Sequence, residues 1–266
     1  MPLIHHVVTG NGYPPIIFVH GFGCAHSDWD AQVSHLSPRY QTIAVDLRGH
    51  GASPGMPDDC SIEQHGADVA EVIRALTLPP AVLVGHSFGC RVIIEAALQA
   101  PDHTGAIVLV DGSQSAPDME TTLKAAFAMP DGIATLARRW FQEMFTEKSS
   151  PALIANIHRR IARLPRRTLE KVLTSLVRYD IDRLDTSISS LRVPVMAIQT
   201  TYSNERRERM SMAKGQTTPY LDMLRNRVPS VRIEIIENSG HFPQIDEPEQ
   251  TNALIDSFIA TLSHGG

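Results

Sequence analysis

Short runs of consecutive apolar residues alternate with segments of helical spacing through the first 110 positions of the chain. Ile4 to Val8 reads as a first strand, and Pro15-Ile16-Ile17-Phe18-Val19, Thr42-Ile43-Ala44-Val45, Ala81-Val82-Leu83-Val84 and Ala106-Ile107-Val108-Leu109-Val110 as buried ones. Strands apolar on both faces belong to a parallel sheet covered by helices on each side. The intervening segments fit that arrangement. Trp29 to Leu36 is helical, and Ser61 to Leu76 carries Ile62, Val69, Val72, Ile73 and Leu76 on one face, with Ser61 and Gln64 spaced as a capping box. Cys90 to Ala100 is a third helix.

From about Ser115 to Ser190 the alternation stops. Leu153, Ile154, Ile157, Ile161 and Leu164 make one apolar stripe, and Leu169, Val172, Leu173 and Leu176 another. Alternation resumes with the strand Val193 to Ile198, a helix from Tyr220 to Val228, the strand Val231 to Ile236 and a last helix from Thr251 to Leu262. The division expected is a core over residues 1–114 and 191–266, with residues 115–190 inserted as a helical cap over the carboxyl edge of the sheet.

Composition narrows the partner. A net charge of −5 and a pI near 6.2 give no general attraction to nucleic acid or an anionic membrane, so a small-molecule substrate is expected. The start of the chain shows no secretory pattern and no apolar run approaches a membrane span, which predicts a cytoplasmic protein. Cys24, Cys60 and Cys90 have no C-x-x-C spacing and read as buried small residues rather than as a disulfide framework or zinc site. Oligomeric state is left open.

The candidate chemistry lies at the ends of the predicted strands, where parallel sheets bind ligands. Gly85-His86-Ser87-Phe88-Gly89 follows a strand and opens a helix, the G-x-S-x-G pattern of a nucleophile elbow. Its glycines suit a turn too tight for side chains. A serine hydroxyl needs a base, and His241, in Asn238-Ser239-Gly240-His241-Phe242 after the last strand, is the candidate. Phe88 N–H, next to the serine, and Phe22 N–H, in the glycine-flanked loop His20-Gly21-Phe22-Gly23, are the candidate oxyanion donors.

With Asp46-Leu47-Arg48-Gly49-His50-Gly51-Ala52-Ser53 between them, these motifs stand in the order of the α/β-hydrolase superfamily, which the chain resembles over nearly its whole length outside the cap. The resemblance implies an α/β fold with a mostly parallel eight-stranded sheet, helices on both faces and a helical cap after the sixth strand. It also implies acyl-enzyme chemistry with no metal or organic cofactor, and a structural turn for the Asp46 segment. The triad acid departs from the commonest pattern. No aspartate stands near Ser203, where the family most often has one; Asp111, after Val110, is the preferred acid, as in members resembling haloalkane dehalogenases, and Glu205 the alternative.

A serine in the elbow, where epoxide hydrolases and dehalogenases of the family carry a carboxylate, favours an esterase. A lactonase, a carbon–carbon bond hydrolase, a haloperoxidase-like enzyme and a non-catalytic ligand receptor are the alternatives on the same fold. Trp140, Phe141, Met144 and Phe145 are the candidate substrate-pocket residues, set against a core role at helical spacing. The arginines Arg138, Arg139, Arg159, Arg160, Arg163, Arg166 and Arg167 are read as a solvated cap surface. The alternative is that one or two hold a substrate carboxylate.

Overall fold

A computed structural model describes residues 3–262. Its strands are β1 (His6–Thr9), β2 (Ile16–Val19), β3 (Thr42–Val45), β4 (Ala81–His86), β5 (Thr104–Val110), β6 (Val195–Gln199), β7 (Thr201–Ser203), β8 (Arg209–Ser211) and β9 (Arg232–Ile235). Seven of them form one sheet in the order β1-β3-β2-β4-β5-β6-β9, parallel except for β1. The continuously apolar runs are the central strands, and every residue of β2, β3 and β4 is buried.

The helices are α1 (Asp30–Leu36), α2 (Ile62–Ala75), α3 (Phe88–Gln99), α4 (Met119–Ala128), α5 (Gly132–Gln142), α6 (Pro151–Arg163), α7 (Arg166–Asp182), α8 (Leu184–Ser189), α9 (Pro219–Arg227), α10 (Pro243–Asp246) and α11 (Pro248–Leu262). Two cores follow. On one face Ile17, Val19, Leu83 and Leu109 pack with α2, α3, α8 and α9; on the other Ile16, Phe18, Val84 and Val108 pack with Trp29, Leu36, Ile255 and Phe258. Among the described residues no helix is long and apolar enough to cross a membrane.

The expected eight strands become seven, and the helical segment follows the fifth strand rather than the sixth. Only one apolar run precedes the turn before β2, and the two strands directly after β6 leave the sheet as a separate hairpin of β7 and β8, before β9 returns to pair with β6. The capping box at Ser61 is half formed. Its hydroxyl accepts from Gln64 N–H at 3.1 Å, but the Gln64 side chain reaches forward to Asp68 instead of back to the cap.

The five helices between β5 and β6 are tied to the sheet by a buried ion pair. Arg91 of α3 donates from Nε and Nη2 to both oxygens of Asp180 on α7, at 2.6 and 2.8 Å, with the two side chains 3% and 1% exposed. Arg91 also reaches the carbonyls of Ser87 and Ser113, so the pair braces the backbone beneath the elbow. Removing one partner of such a pair strands the other charge out of water. Asp180→Ala is therefore expected to lose about 3–5 kcal/mol in urea unfolding; a loss below about 1 kcal/mol, the range of an exposed pair, would contradict the bracing role.

Candidate active site

Ser87 joins β4 to α3 with φ 53° and ψ −112°, a backbone conformation that residues other than glycine rarely adopt. The flanking glycines are obligatory by contact. A Cβ on Gly85 would stand 2.5 Å from the Gly89 carbonyl oxygen, and one on Gly89 2.5 Å from that of Val19. The strain is held by backbone packed on backbone, and Ser87 N–H donates to the Val110 carbonyl at 2.9 Å.

His241 is fixed by its backbone. Its N–H donates to the Met144 carbonyl at 2.9 Å, its carbonyl accepts from His86 Nε2 at 2.6 Å, and the neighbouring Gly240 carbonyl accepts from Thr200 Oγ1 at 2.8 Å. The imidazole then bridges two groups. Nε2 lies 2.8 Å from Ser87 Oγ and Nδ1 lies 2.6 Å from Asp111 Oδ2. With the Nδ1 proton donated to Asp111, Nε2 is the acceptor facing the serine hydroxyl, a geometry able to take its proton.

Asp111 closes β5 at φ 45° and is fully buried. Its Oδ1 accepts from Thr200 N–H, Thr201 N–H and Gln199 Nε2 at 2.8–3.0 Å, and its Oδ2 from Thr201 Oγ1 at 2.6 Å as well as from His241. Burial alone would raise its pKa, but the hydrogen bond and charge of His241, with Arg209 and Thr201, outweigh it and lower it to about 2. Glu205, the other candidate acid, is exposed in the turn joining β7 and β8, and no hydrogen bond joins it to His241.

Phe22 and Phe88, the candidate oxyanion donors, line the same cavity as Ser87 and His241. Phe88 is the first residue of α3, so its N–H has no carbonyl a turn earlier. Phe22 is the second residue of a turn closed by Cys24 N–H on the Gly21 carbonyl at 3.2 Å, a bond that leaves Phe22 N–H unused. Gly21 permits the approach: a Cβ there would lie 2.8 Å from His86 Nδ1 and 3.4 Å from Ser87 Cβ.

A cavity of about 910 Å³ opens over Ser87 and His241, lined also by Phe22, Leu123, Trp140, Phe141, Met144 and Leu173. Phe145 is not among the lining residues. It stacks on Phe242 with ring centroids 5.5 Å apart and packs beside His158, because the chain turns away after α5. Cys24, Cys60 and Cys90 are buried and free, and burial pushes the Cys60 and Cys90 thiols up to about 11 and about 12.

Five of the seven arginines singled out between residues 115 and 190 have partners that do not line the cavity. Arg160 donates to both oxygens of Asp28, Arg166 binds Glu170 and the carbonyls of Phe127 and Pro130, Arg167 pairs with Asp58, and Arg138 and Arg159 reach Thr135 and Asn156 on their own helices. Arg139 lines the cavity but is bonded to Glu143, and Arg163 is exposed. Sequence reasoning missed a different arginine. Arg209, the first residue of β8, donates from Nη1 to Thr201 Oγ1 at 2.7 Å and stands 3.2 Å from His241 Nδ1. Its position depends on a three-residue pairing, Ser203 opposite Arg209, too short and polar to register as a strand signal.

A model of the alpha/beta hydrolase family matches residues 16–254. The chain belongs to that family. As an alpha/beta hydrolase it is 28% identical to the pimeloyl-[acyl-carrier protein] methyl ester esterase of Nitrosomonas europaea, over 97% of this chain and 100% of that protein. The fold of this alpha/beta hydrolase matches that of a thermophilic esterase from Thermogutta terrifontis, with a TM-score of 0.80 at 21% identity, over 97% of this chain and 93% of the other. It also matches an enol-lactonase from Burkholderia xenovorans LB400, with a TM-score of 0.79 at 19% identity, over 97% and 96% of the two chains.

Buried histidines crowd this end of the hydrolase. His20 and His86 are lowered to about 3 by burial, aided by the charges of His50 and His241 respectively. Burial lowers His50 too, and holds His65, which has no hydrogen-bond partner on either ring nitrogen, well below the usual value. These groups are neutral in the fold and protonate near 6.5 when unfolded, so the unfolded state binds more protons from pH 6.5 down to about 3. Unfolding free energy is expected to fall with pH across that window, by up to about 1.4 kcal/mol per pH unit for each histidine. Urea unfolding at pH 7.5 and 5.0 measures it. His65→Phe is expected to shrink the difference, and equal stability at the two pH values would refute the assignment.

Proposed function

We propose that the chain is a serine hydrolase that cleaves a small carboxylic ester through an acyl-enzyme intermediate. The observation that carries this reading is the continuous hydrogen-bonded line from Ser87 through His241 to Asp111 on the floor of an apolar cavity. In the mechanism, Ser87 Oγ attacks the ester carbonyl while His241 Nε2 takes its proton, and the imidazolium that forms is stabilised by Asp111. The Phe22 and Phe88 N–H groups receive the oxyanion of the tetrahedral intermediate. Its collapse breaks the bond to the alcohol, which leaves with the proton from His241. Water, deprotonated by the same nitrogen, then releases the acid and restores Ser87.

Residues 115–190 act in this reading as a cap between the core segments 1–114 and 191–266, because α5 supplies Trp140 and Phe141 to the cavity and Met144 follows it. The curated relative from Nitrosomonas europaea, a methyl ester esterase by name, supports ester cleavage. A lactone is an ester closed on itself and would be opened by the same steps.

Hydrolysis of 4-nitrophenyl esters tests the assignment. Ser87→Ala is expected to abolish both the burst and the steady state. Asp111→Asn is expected to lower kcat by roughly 10³–10⁴-fold, since the wrong imidazole tautomer then faces the serine. Glu205→Gln is expected to stay within about twofold, as an exposed side chain bonded to none of the reacting groups should. Near-normal turnover by Asp111→Asn would remove Asp111 from the acid's role.

A further inference from the structure

The Arg209 guanidinium is the unusual group of the site. Its side chain is only 20% exposed and it lines the cavity beside the serine–histidine pair. Nη1 donates to Thr201 Oγ1 and stands 3.2 Å from His241 Nδ1, whose proton is directed at Asp111, whereas among the described residues Nε and Nη2 have no protein hydrogen-bond partner. Other arginines packed around this end differ. Arg91 grips Asp180 with two nitrogens, and Arg160 grips Asp28. Arg209 has only Asp111 nearby, at 3.7 Å from Oδ2, and that carboxylate already accepts from Gln199, Thr200, Thr201 and His241. Glu143, the other acid whose charge acts on Arg209, is bonded to Arg139.

A cation at this place opposes the reaction proposed above. When His241 accepts the serine proton it becomes a cation with Arg209 only 3.2 Å from its other nitrogen. Asp111 then faces two positive charges with one negative. The oxyanion that balances the imidazolium forms at Ser87, on the Nε2 side of the ring, and leaves Arg209 on the Nδ1 side without an anion of its own; the unbonded Nε and Nη2 edge has the planar two-donor form that a carboxylate fits.

Resting on the ester-hydrolase reading, we propose that Arg209 is the recognition residue for a carboxylate on the substrate, so that the preferred substrates are half-esters or other carboxylate-bearing esters. This moves the carboxylate site from the cap helices, where Arg139, the one of those seven arginines that lines the cavity, is bonded to Glu143, to the β7–β8 hairpin. One carboxylate charge on Arg209 and the reacting carbonyl at Ser87 are then held on opposite sides of the same imidazole, which makes the separation between the two groups a selected quantity.

The test compares aryl half-esters of dicarboxylic acids, over a series of chain lengths, with neutral isosteres in which the free carboxylate is an amide. The wild-type protein is expected to favour the half-ester at its best chain length by at least about 10-fold in kcat/KM. Arg209→Gln is expected to reduce that ratio to near one, and Arg209→Lys, which keeps the charge without the fork, to restore part of it. Equal turnover of both members by the wild-type protein at every chain length would overturn the proposal and leave the ester-hydrolase reading standing, as would a preference that survives in Arg209→Gln. Turnover of neither member would overturn the ester-hydrolase reading itself. The wild-type ratio decides even where a variant fails to fold.

Discussion

The buried carboxylate of Asp111 is the constraint on which the site depends. An ionised group with no exposure is costly unless its lone pairs are met, and here five donors meet them. Four come from Gln199, Thr200 and Thr201, so one side chain joins the carboxyl ends of β5 and β6 and starts the β7 hairpin. Those donors fix Oδ1 and half of Oδ2, and only His241 Nδ1 remains to complete the second oxygen. The orientation of the imidazole toward Ser87 follows from that unfilled position.

The charges around His241 are consequently uneven. Burial and the neighbouring Arg209 both disfavour the imidazolium, Asp111 favours it, and the balance lowers the pKa of His241 below the usual imidazole value. The histidine therefore rests neutral, as a base must. The same balance makes the environment of Arg209 chemically consequential, because it stands where charge develops during proton transfer.

Much of this was legible in the sequence. Continuous apolar runs located the central strands, since a strand covered on both faces is filled almost entirely by apolar residues. The spacing of Gly85 and Gly89 located the elbow for a steric reason that appears directly as a backbone oxygen 2.5 Å from where each Cβ would be. What was left open, as the choice of Asp111 over Glu205, or was missed, as Arg209, is non-local or very short. Asp111 and Glu205 are both carboxylates near strand ends, and only the packing of β5 against β6 determines which one reaches a histidine 130 positions away. The hairpin that delivers Arg209 has three residues per strand, and neither its length nor its polarity distinguishes it from a loop. Phe145 shares the helical spacing of Trp140 and Phe141, but the chain leaves α5 before reaching it.

The family's fold hosts many chemistries, so the claim about this chain rests on its site rather than its architecture. That claim is that Ser87 is the activated nucleophile. Its most direct test is inactivation by a fluorophosphonate followed by mass spectrometry of the intact protein and its peptides. One adduct per chain, on the peptide containing Ser87 and formed far more slowly in His241→Gln, is the predicted result. No adduct, or modification of another serine with Ser87 left free, would contradict it.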